Sequence, residues 1–265
     1  MRVKNGAAAP PIPAFTVPPL GIRVHAAGFD FGGAPLFEAL DFELAAGSWT
    51  CLLGPSGVGK TTLLRLIAGL VDPWPGSAIA CSDGGALAGR IAYMAQQDLL
   101  LPWLSALDNV LLGARLRRQP VDGAAGERAR WLLARVGLAE KLASLPAALS
   151  GGQRQRVALA RTLFEARPLV LMDEPFAALD AITRHQLQAL AAELLHGATV
   201  LHVTHDPWEA LRLADRLYVM AGAPARLGDP VVLPGAPPRD VSGAGLATRH
   251  AELLSLLADG RREAA

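Results

Sequence analysis

The pattern of apolar and polar residues changes several times along the first part of the chain. Apolar and polar residues alternate over residues 21–27 and 36–44, with a Gly-Gly pair between them, which predicts an antiparallel edge sheet. Residues 49–53 form a compact apolar segment that runs into a glycine-rich turn. Leucines at helical spacing follow over residues 61–70. The sequence therefore predicts a strand, a loop and a helix in this order.

The middle of the chain has a helical periodicity, and the second half returns to strands. Leucines recur at helical intervals, so we predict an inserted helical subdomain at about residues 97–150. The unbroken apolar segment at 169–172 is typical of a parallel strand that is buried on both faces, and residues 199–203 show the same parallel-strand character. Helices predicted at 182–195 and 207–214 alternate with these strands. This alternation predicts a doubly wound α/β core.

Composition excludes several classes of protein. Hydrophobic residues make up 51% of the chain and charged residues 18%, which fits a folded globular protein and argues against a disordered or fibrous one. The 25 basic and 24 acidic residues leave a net charge of +1, so no basic excess indicates nucleic-acid binding. Cys51 and Cys81 both lie in apolar segments, which indicates two buried thiols in a reducing compartment.

The two ends of the chain differ from its centre. Residues 1–20 are predicted to be a disordered, proline-rich tail, because five prolines within residues 5–22 rule out a membrane-spanning helix. The tail also lacks the features of a secretory signal, so we expect a cytosolic protein that reaches a membrane only through a partner. Residues 236–265 are predicted to be a linker followed by a helix at 246–257.

The glycine-rich turn after the segment 49–53 fits the phosphate-loop pattern of Gly, four residues, Gly, Lys and Ser or Thr. Glycines let successive backbone N–H groups point at phosphate oxygens, and the helix start adds the positive end of its dipole. Lys60 is predicted to reach the outer phosphates, and the Thr61 hydroxyl to ligate Mg²⁺. The candidate ATP-binding residues of this loop are Gly54, Pro55, Ser56, Gly57, Val58, Gly59, Lys60, Thr61 and Thr62.

A pair of carboxylates ends the apolar segment 169–172. Asp173 and Glu174 stand where a strand ends, and ligands bind at the carboxyl ends of strands in this architecture. We predict that Asp173 holds Mg²⁺ through its water shell. Glu174 is predicted to orient or deprotonate the attacking water.

A second candidate anion site begins at Ser150. The Ser-Gly-Gly sequence at 150–152 leads into a strongly helical segment at 154–164, which indicates another helix start able to receive an anion. A single nucleotide does not readily need two such helix starts from one subunit. The pair of sites therefore suggests that two copies of the chain associate head to tail.

Taken together, these motifs resemble those of the ATP-binding subunits of ABC transporters. The resemblance covers nearly the whole chain and implies a phosphate-loop ATPase cassette at residues 21–235. It implies an α/β fold with a parallel-sheet core, an antiparallel edge sheet and the inserted helical subdomain. It also implies ATP and Mg²⁺ as ligands, and a homodimer in which a signature sequence acts in trans on the other copy's nucleotide. The signature residues are Ser150, Gly151, Gly152 and Gln153.

The resemblance assigns catalytic and metal-binding roles to single residues. His205 follows the segment 199–203 and matches a switch histidine that contacts the terminal phosphate, so Glu174 and His205 form the catalytic set. His202 is interpreted as structural. Gln96 matches a glutamine that joins the Mg²⁺ site to the helical subdomain, with Gln97 as the alternative. The implied metal-binding residues are Thr61, Gln96 and Asp173.

Two further positions have roles only through the resemblance. Asp180 lies in a segment similar to the loop that communicates between paired subunits. Phe31 matches the aromatic residue that stacks on adenine. Phe29 competes with Phe31 for this role.

The remaining motifs favour an importer over other members of the family. There is one set of motifs, no sustained heptad pattern between phosphate loop and signature, and no fused membrane helices. Leu-Pro-Trp at 101–103 resembles importers of nitrate, sulfonates, taurine and thiamine-pyrimidine precursors, and residues 94–98 most resemble the hydroxymethylpyrimidine branch. The alternative is a soluble, non-transport ATPase that acts on nucleic acid or ribosomes.

The importer interpretation implies a set of partners and a location. The partners are an integral membrane permease and, through it, a periplasmic or lipid-anchored solute-binding protein; nucleic acid is not among them. The location is peripheral, at the cytoplasmic face of the bacterial inner membrane. The groove near Gln96 and Trp103 is expected to receive a short helix of the permease.

Overall fold

The computed structural model describes residues 18–240 and 244–262. The predicted tail lies almost wholly outside these residues. In chain order the strands are β1 (Ile22–Asp30), β2 (Pro35–Leu44), β3 (Trp49–Leu53), β4 (Ala78–Cys81), β5 (Ile91–Met94), β6 (Leu169–Asp173), β7 (Thr199–Thr204), β8 (Arg216–Ala221), β9 (Arg226–Leu227) and β10 (Val231–Val232). The α-helices are α1 (Lys60–Ile67), α2 (Ala106–Leu116), α3 (Gly123–Arg135), α4 (Gly151–Phe164), α5 (Ala181–Leu194), α6 (Pro207–Leu213) and α7 (Ala244–Arg262).

The larger sheet has the strand order β10-β8-β3-β7-β6-β5, with β9 paired to β8. The strands from β8 to β5 run parallel to one another, while β10 and β9 pair with β8 in antiparallel fashion. Every residue of β3, β6 and β7 is buried, which explains why their sequences are predominantly apolar. Leu53 pairs with Thr204 and Asp173 with Val203, so the segments after these three strands meet at one edge.

The antiparallel edge sheet predicted from alternation is present, in the order β2-β1-β4. β1 pairs with β2 from Ile22 opposite Leu44 to Asp30 opposite Pro35. Register shifts interrupt this pairing, and Ala26 and Ala39 adopt positive φ beside them. The sheet places the end of β1 close to the glycine-rich turn, so that Phe31 and the turn line the same cleft.

Helices α2, α3 and α4 lie between β5 and β6 in the sequence and pack against one another to form the helical subdomain. Helices α2 and α3 fall within the predicted range of about residues 97–150, and α4 begins directly after it. The residues at the interfaces between these helices are apolar and buried, among them Val110, Leu133 and Val157. The Ser105 and Asp122 side chains cap the starts of α2 and α3 by accepting backbone N–H groups. The subdomain is therefore held both by an apolar interior and by local capping.

Helix boundaries differ from the predicted ones where backbone geometry decides. The helix predicted over 61–70 ends at Ile67, because Gly69 adopts φ +68° and turns the chain away. The helix predicted at 246–257 extends over the whole of α7. No helix within residues 18–240 and 244–262 combines the length and hydropathy needed to cross a lipid bilayer.

The C-terminal segments are packed onto the domain. Leu253 of α7 is buried, and His250 stacks on Trp208 of α6 with ring centroids 4.0 Å apart. In the segment predicted to be a linker, Arg239 is buried and donates to carbonyl groups of Leu233 and Ala214. These contacts hold the end of the chain against the side of α6.

Candidate active site

The loop between β3 and α1 depends on glycines at defined positions. Gly57 and Gly59 have φ of +84° and +110°, in the region that favours glycine. At Gly54 a Cβ atom would lie 2.5 Å from the Met220 carbonyl oxygen, closer than side chains tolerate. The loop therefore curls as the sequence predicted, with α1 beginning directly after it.

Lys60 is buried at the start of α1. Its ammonium group donates to the carbonyl oxygens of Gly54 and Pro55, at 2.7 and 2.8 Å. Burial lowers the pKa of Lys60, while the nearby Glu174 and Asp173 carboxylates oppose this shift. The side chain is thus a buried cation placed between a phosphate loop and two acidic residues.

Asp173 is 1% exposed at the end of β6. Neither of its carboxylate oxygens has a hydrogen-bond partner of good geometry among the described residues. Burial raises its pKa, and the Thr61 hydroxyl is the main opposing influence. A buried carboxylate beside a hydroxyl, with oxygens left over, is a donor set that suits Mg²⁺, which binds few protein oxygens and keeps several waters. Thr61 and Asp173 therefore fit the predicted metal-binding role.

Glu174 adopts a left-handed backbone conformation with φ +48°. Its N–H donates to the Val203 carbonyl oxygen at 2.9 Å, which fixes this conformation against β7. Its carboxylate lies 3.0 Å from Nδ1 of His205 and 3.4 Å from Nε2 of Gln96. Three predicted residues, distant in sequence, are thereby brought into contact.

The residues of the phosphate loop and Glu174 line a cleft of about 260 Å³. Its lining is Phe31, Leu36, Ser56, Gly57, Gly59, Lys60, Thr61, Thr62, Gln96 and Glu174. Gln97 is exposed but does not contribute to this lining, which favours Gln96 over Gln97. A larger cavity of about 510 Å³ borders the same loop at Pro55, Val58 and Gly222, and its lining contains no acidic residue.

The two candidate aromatic residues differ in their surroundings. Phe31 is 79% exposed at the rim of the cleft. Phe29 is half-buried against the core beneath it, with its ring 6.3 Å from that of Phe37. An exposed ring can stack on a base without losing core contacts, so the geometry favours Phe31.

The signature residues and Asp180 lie outside this cleft and cap helices. Ser150 and Gln153 form a reciprocal capping box at the start of α4, so the Gln153 amide oxygen accepts the Ser150 N–H at 2.8 Å. At Gly152 a Cβ atom would approach the Ala178 carbonyl oxygen to 3.1 Å. Asp180 caps α5 by accepting the N–H of Thr183. The start of α4 is exposed at Ser150 and Gly151 and points no group into the cleft of its own chain.

Two arginines of α4 connect this helix with the loop that follows β5 and carries Gln96, and the sequence pattern does not predict their roles. Arg154 donates to the Asp98 carboxylate at 2.9 Å, and Arg161 donates to the carbonyl oxygens of Asp98 and Leu99. Residues 154 and 161 are two helical turns apart and share one face of α4. That spacing was the available signal, although it did not identify their partners.

The fold and the site together define a phosphate-loop ATPase. The ABC transporter family model matches residues 37–177. The chain is 45% identical over 248 residues to an uncharacterized ABC transporter ATP-binding protein of Haemophilus influenzae, covering 89% of this chain and 98% of the relative. It is 44% identical over 231 residues to the aliphatic sulfonates import ATP-binding protein SsuB 2 of Burkholderia cenocepacia, covering 84% of this chain and 82% of the relative. The chain belongs to the ABC transporter family.

Solved structures agree with this assignment. A dimeric, post-hydrolysis structure of the ATP-binding cassette MJ0796 bound to ADP and Pi has a TM-score of 0.71 and 29% identity, covering 81% of this chain and 99% of that one. An ATP-binding subunit of an ABC transporter has a TM-score of 0.72 and 25% identity, covering 88% of this chain and 99% of that one. The predicted cassette fold is confirmed, and the chain is an ABC-type ATPase.

Proposed function

We propose that the chain hydrolyses ATP as a head-to-tail homodimer and thereby drives the import of a small solute through a separate membrane permease. The observation that carries this proposal is the convergence of Lys60, Glu174 and His205 around one cleft that the signature of the same chain does not line. The exposed helix start at Ser150 is then available to a nucleotide bound by the other copy.

Each residue around the cleft has a separate role in phosphoryl transfer. Glu174 accepts a proton from the attacking water, and His205 holds the Glu174 carboxylate and contacts the terminal phosphate. Lys60 neutralises charge on the outer phosphates. Mg²⁺ supplies further neutralisation when it is held by Thr61 and Asp173, with Gln96 beside them.

The paired arrangement is supported by the geometry of α4. Ser150 and Gly151 are exposed, and backbone N–H groups at a helix start attract an anion. Asp180 and Gly152 lie on neighbouring segments, since Gly152 approaches the Ala178 carbonyl. This proximity supports the proposed role of Asp180 in communication between subunits.

The permease is proposed to dock beside the Gln96 loop. Leu99 and Trp103 are 58% and 70% exposed just after Gln96, and exposed apolar groups of this size commonly mark contact surfaces. Asp98 ties the same loop to α4 through Arg154. Closure of the dimer can thus be transmitted from α4, which begins at the signature, to the surface formed by Leu99 and Trp103. Such docking places the chain peripherally, at the cytoplasmic face of the inner membrane.

The cargo is proposed from resemblance alone, since the solute need not touch this chain. Several relatives are named as aliphatic sulfonate importers, which makes sulfonates the first cargo to test. Residues 94–98 support hydroxymethylpyrimidine as the second, and nitrate and taurine complete the set. Specificity would reside in the solute-binding protein and the permease.

The test is a pull-down of tagged Glu174→Gln chain from membranes with Mg-ATP, followed by identification of the proteins retained. Recovery of a multi-spanning permease with a solute-binding protein is expected, and that binding protein is then titrated with each candidate cargo. The matched control is Glu193→Gln, an exposed carboxylate on α5 paired with Arg135. Recovery of nucleic acid or ribosomes without a membrane protein would overturn the transport function and leave the ATPase chemistry intact.

A further inference from the structure

A buried polar pair connects β7 with α6, on either side of the turn that carries His205. His202 of β7 is completely buried, and its Nε2 lies 2.7 Å from Oε1 of Glu209, which is 5% exposed on α6. This is a close polar contact by distance, without the angles of a good hydrogen bond. Burying ionisable groups costs free energy, and a well-packed apolar pair is often at least as stabilising. The pair therefore calls for an explanation beyond stability.

The surrounding groups define which ring nitrogen of His202 faces Glu209 and what Glu209 contacts. The Trp49 indole N–H, which can only donate, lies 3.4 Å from Nδ1 of His202. We therefore assign the imidazole proton to Nε2, facing Glu209. Burial raises the pKa of Glu209, but its contacts with His202, Thr204 and Gln188 outweigh burial and lower the pKa overall. Glu209 is thus a buried carboxylate, which also accepts from Gln188 at 3.1 Å.

The pair brackets the segment that carries His205. Thr204, the last residue of β7, accepts the N–H of Asp206 through its hydroxyl at 3.1 Å. Asp206 in turn accepts the N–H of Glu209 as the N-cap of α6. His205 is therefore the one residue between two anchored neighbours, while its own side chain is 55% exposed.

The pair also contacts the segment that follows Glu174. The ring of Phe176 packs edge-on against His202, with centroids 5.7 Å apart. Phe176 is fully buried and lies two residues after Glu174. The imidazole thus belongs to the strand that leads to His205 and packs against the segment that follows Glu174.

We propose that His202 and Glu209 form a positioning pair that sets the distance between His205 and Glu174. This inference rests on the proposed role of His205 in hydrolysis. The pair joins β7 to α6 on either side of His205, so its loss releases the turn without removing a group from the cleft. Neither residue lines the cleft, and nucleotide binding should not depend on them.

The test is a double-mutant cycle on the full chain, measuring kcat and KM for ATP together with the melting temperature. Glu209→Gln preserves side-chain volume and removes the charge. We expect kcat to fall about tenfold while KM stays within about twofold, because misplacing a catalytic group costs rate more than binding. In a His205→Ala background, Glu209→Gln is expected to have no further effect on kcat. Glu193→Gln serves as the matched control.

A second pair of variants makes the test independent of the folding of Glu209→Gln. His202→Gln can still present an amide N–H near the original Nε2 position, whereas His202→Leu cannot. We expect His202→Gln to retain most of the activity and His202→Leu to lose it, at equal folded fractions.

The outcomes distinguish this inference from the proposed function. An unchanged kcat in Glu209→Gln, or a loss that multiplies with that of His205→Ala, would overturn the positioning pair. A loss that only follows the folded fraction would overturn it as well. If His205→Ala itself leaves kcat unchanged, the proposed role of His205 fails first, and the inference fails with it.

Discussion

Nδ1 of His205 lies 3.0 Å from Oε1 of Glu174. Both residues depend on β7: His205 follows its last residue, and the Glu174 N–H is bound by the Val203 carbonyl oxygen. The other Glu174 oxygen faces Gln96 at 3.4 Å. A single strand thus places the two proposed catalytic groups, and Gln96 contacts Glu174 from the loop that leads into the helical subdomain.

Replacing Glu174 by Gln is expected to abolish turnover while preserving ATP binding. The amide keeps the size of the side chain but cannot accept a proton, so we expect hydrolysis to fall at least about 100-fold. Affinity for ATP should stay within about threefold, and the bound dimer should accumulate. Phosphate release, nucleotide titration and size-exclusion chromatography with Mg-ATP measure these effects. Glu193→Gln is the control, and normal turnover in Glu174→Gln would exclude Glu174 as the base.

Replacing Lys60 by Ala is expected to act on binding. Lys60 is a buried cation that we propose to face phosphate oxygens, so its removal is expected to cost about 1.5–3 kcal/mol, or roughly 10- to 150-fold in ATP affinity. Isothermal titration calorimetry measures the dissociation constant directly. Lys141→Ala, in the helical subdomain, is the control for loss of a lysine. An unchanged dissociation constant in Lys60→Ala would contradict the proposal that Lys60 binds the outer phosphates of ATP.

The parts of the fold that were predictable from sequence are those that local pattern controls. The bounds of β3 coincide with the compact apolar segment 49–53, and the curled phosphate loop was predictable from the spacing of its glycines. Contacts between side chains far apart in sequence were not predictable, because nothing in the residues around each partner indicates which distant residue it will meet. The contact between His202 and Glu209 depends on how α6 packs on β7, and Arg239 reaches carbonyl groups about 25 residues away. The short strands β9 and β10 are defined by β8 rather than by their own residues.

Phe31 and Phe29 are expected to respond differently to truncation. Phe31→Ala removes an exposed ring, so the KM for ATP should rise by roughly 5- to 100-fold, the equivalent of about 1–3 kcal/mol of base stacking, with the melting temperature unchanged. Phe29→Ala removes half-buried packing and should lower the free energy of unfolding by about 1–3 kcal/mol. Urea unfolding and steady-state kinetics on both variants measure the two effects. The opposite pattern would identify Phe29 as the stacking residue.

Trp74 is expected to fix the end of β1, which directly precedes Phe31. Its indole N–H donates to the Asp30 carboxylate at 2.7 Å, and its ring packs so closely on Gly28 that a Cβ there would lie 2.6 Å away. Trp74→Phe keeps an aromatic ring and removes the donor. We expect a rise of about threefold in KM for ATP at constant kcat, because the end of β1 is less well fixed. Equal KM values in the variant and the wild type would show that the hydrogen bond from Trp74 to Asp30 does not affect ATP binding.

Trp103 is expected to matter for transport and not for ATP chemistry. It is 70% exposed, so Trp103→Ala should change the melting temperature and the ATPase rate of the isolated chain little. In a reconstituted complex with the permease, we expect solute uptake per ATP hydrolysed to fall about tenfold, because loss of a buried aromatic anchor at an interface costs about 2 kcal/mol or more. The control is Leu116→Ala, which is 75% exposed on α2 and lies away from the Gln96 loop in sequence. Uptake per ATP that stays at the wild-type value in Trp103→Ala would exclude this surface as the route from the ATPase to the permease.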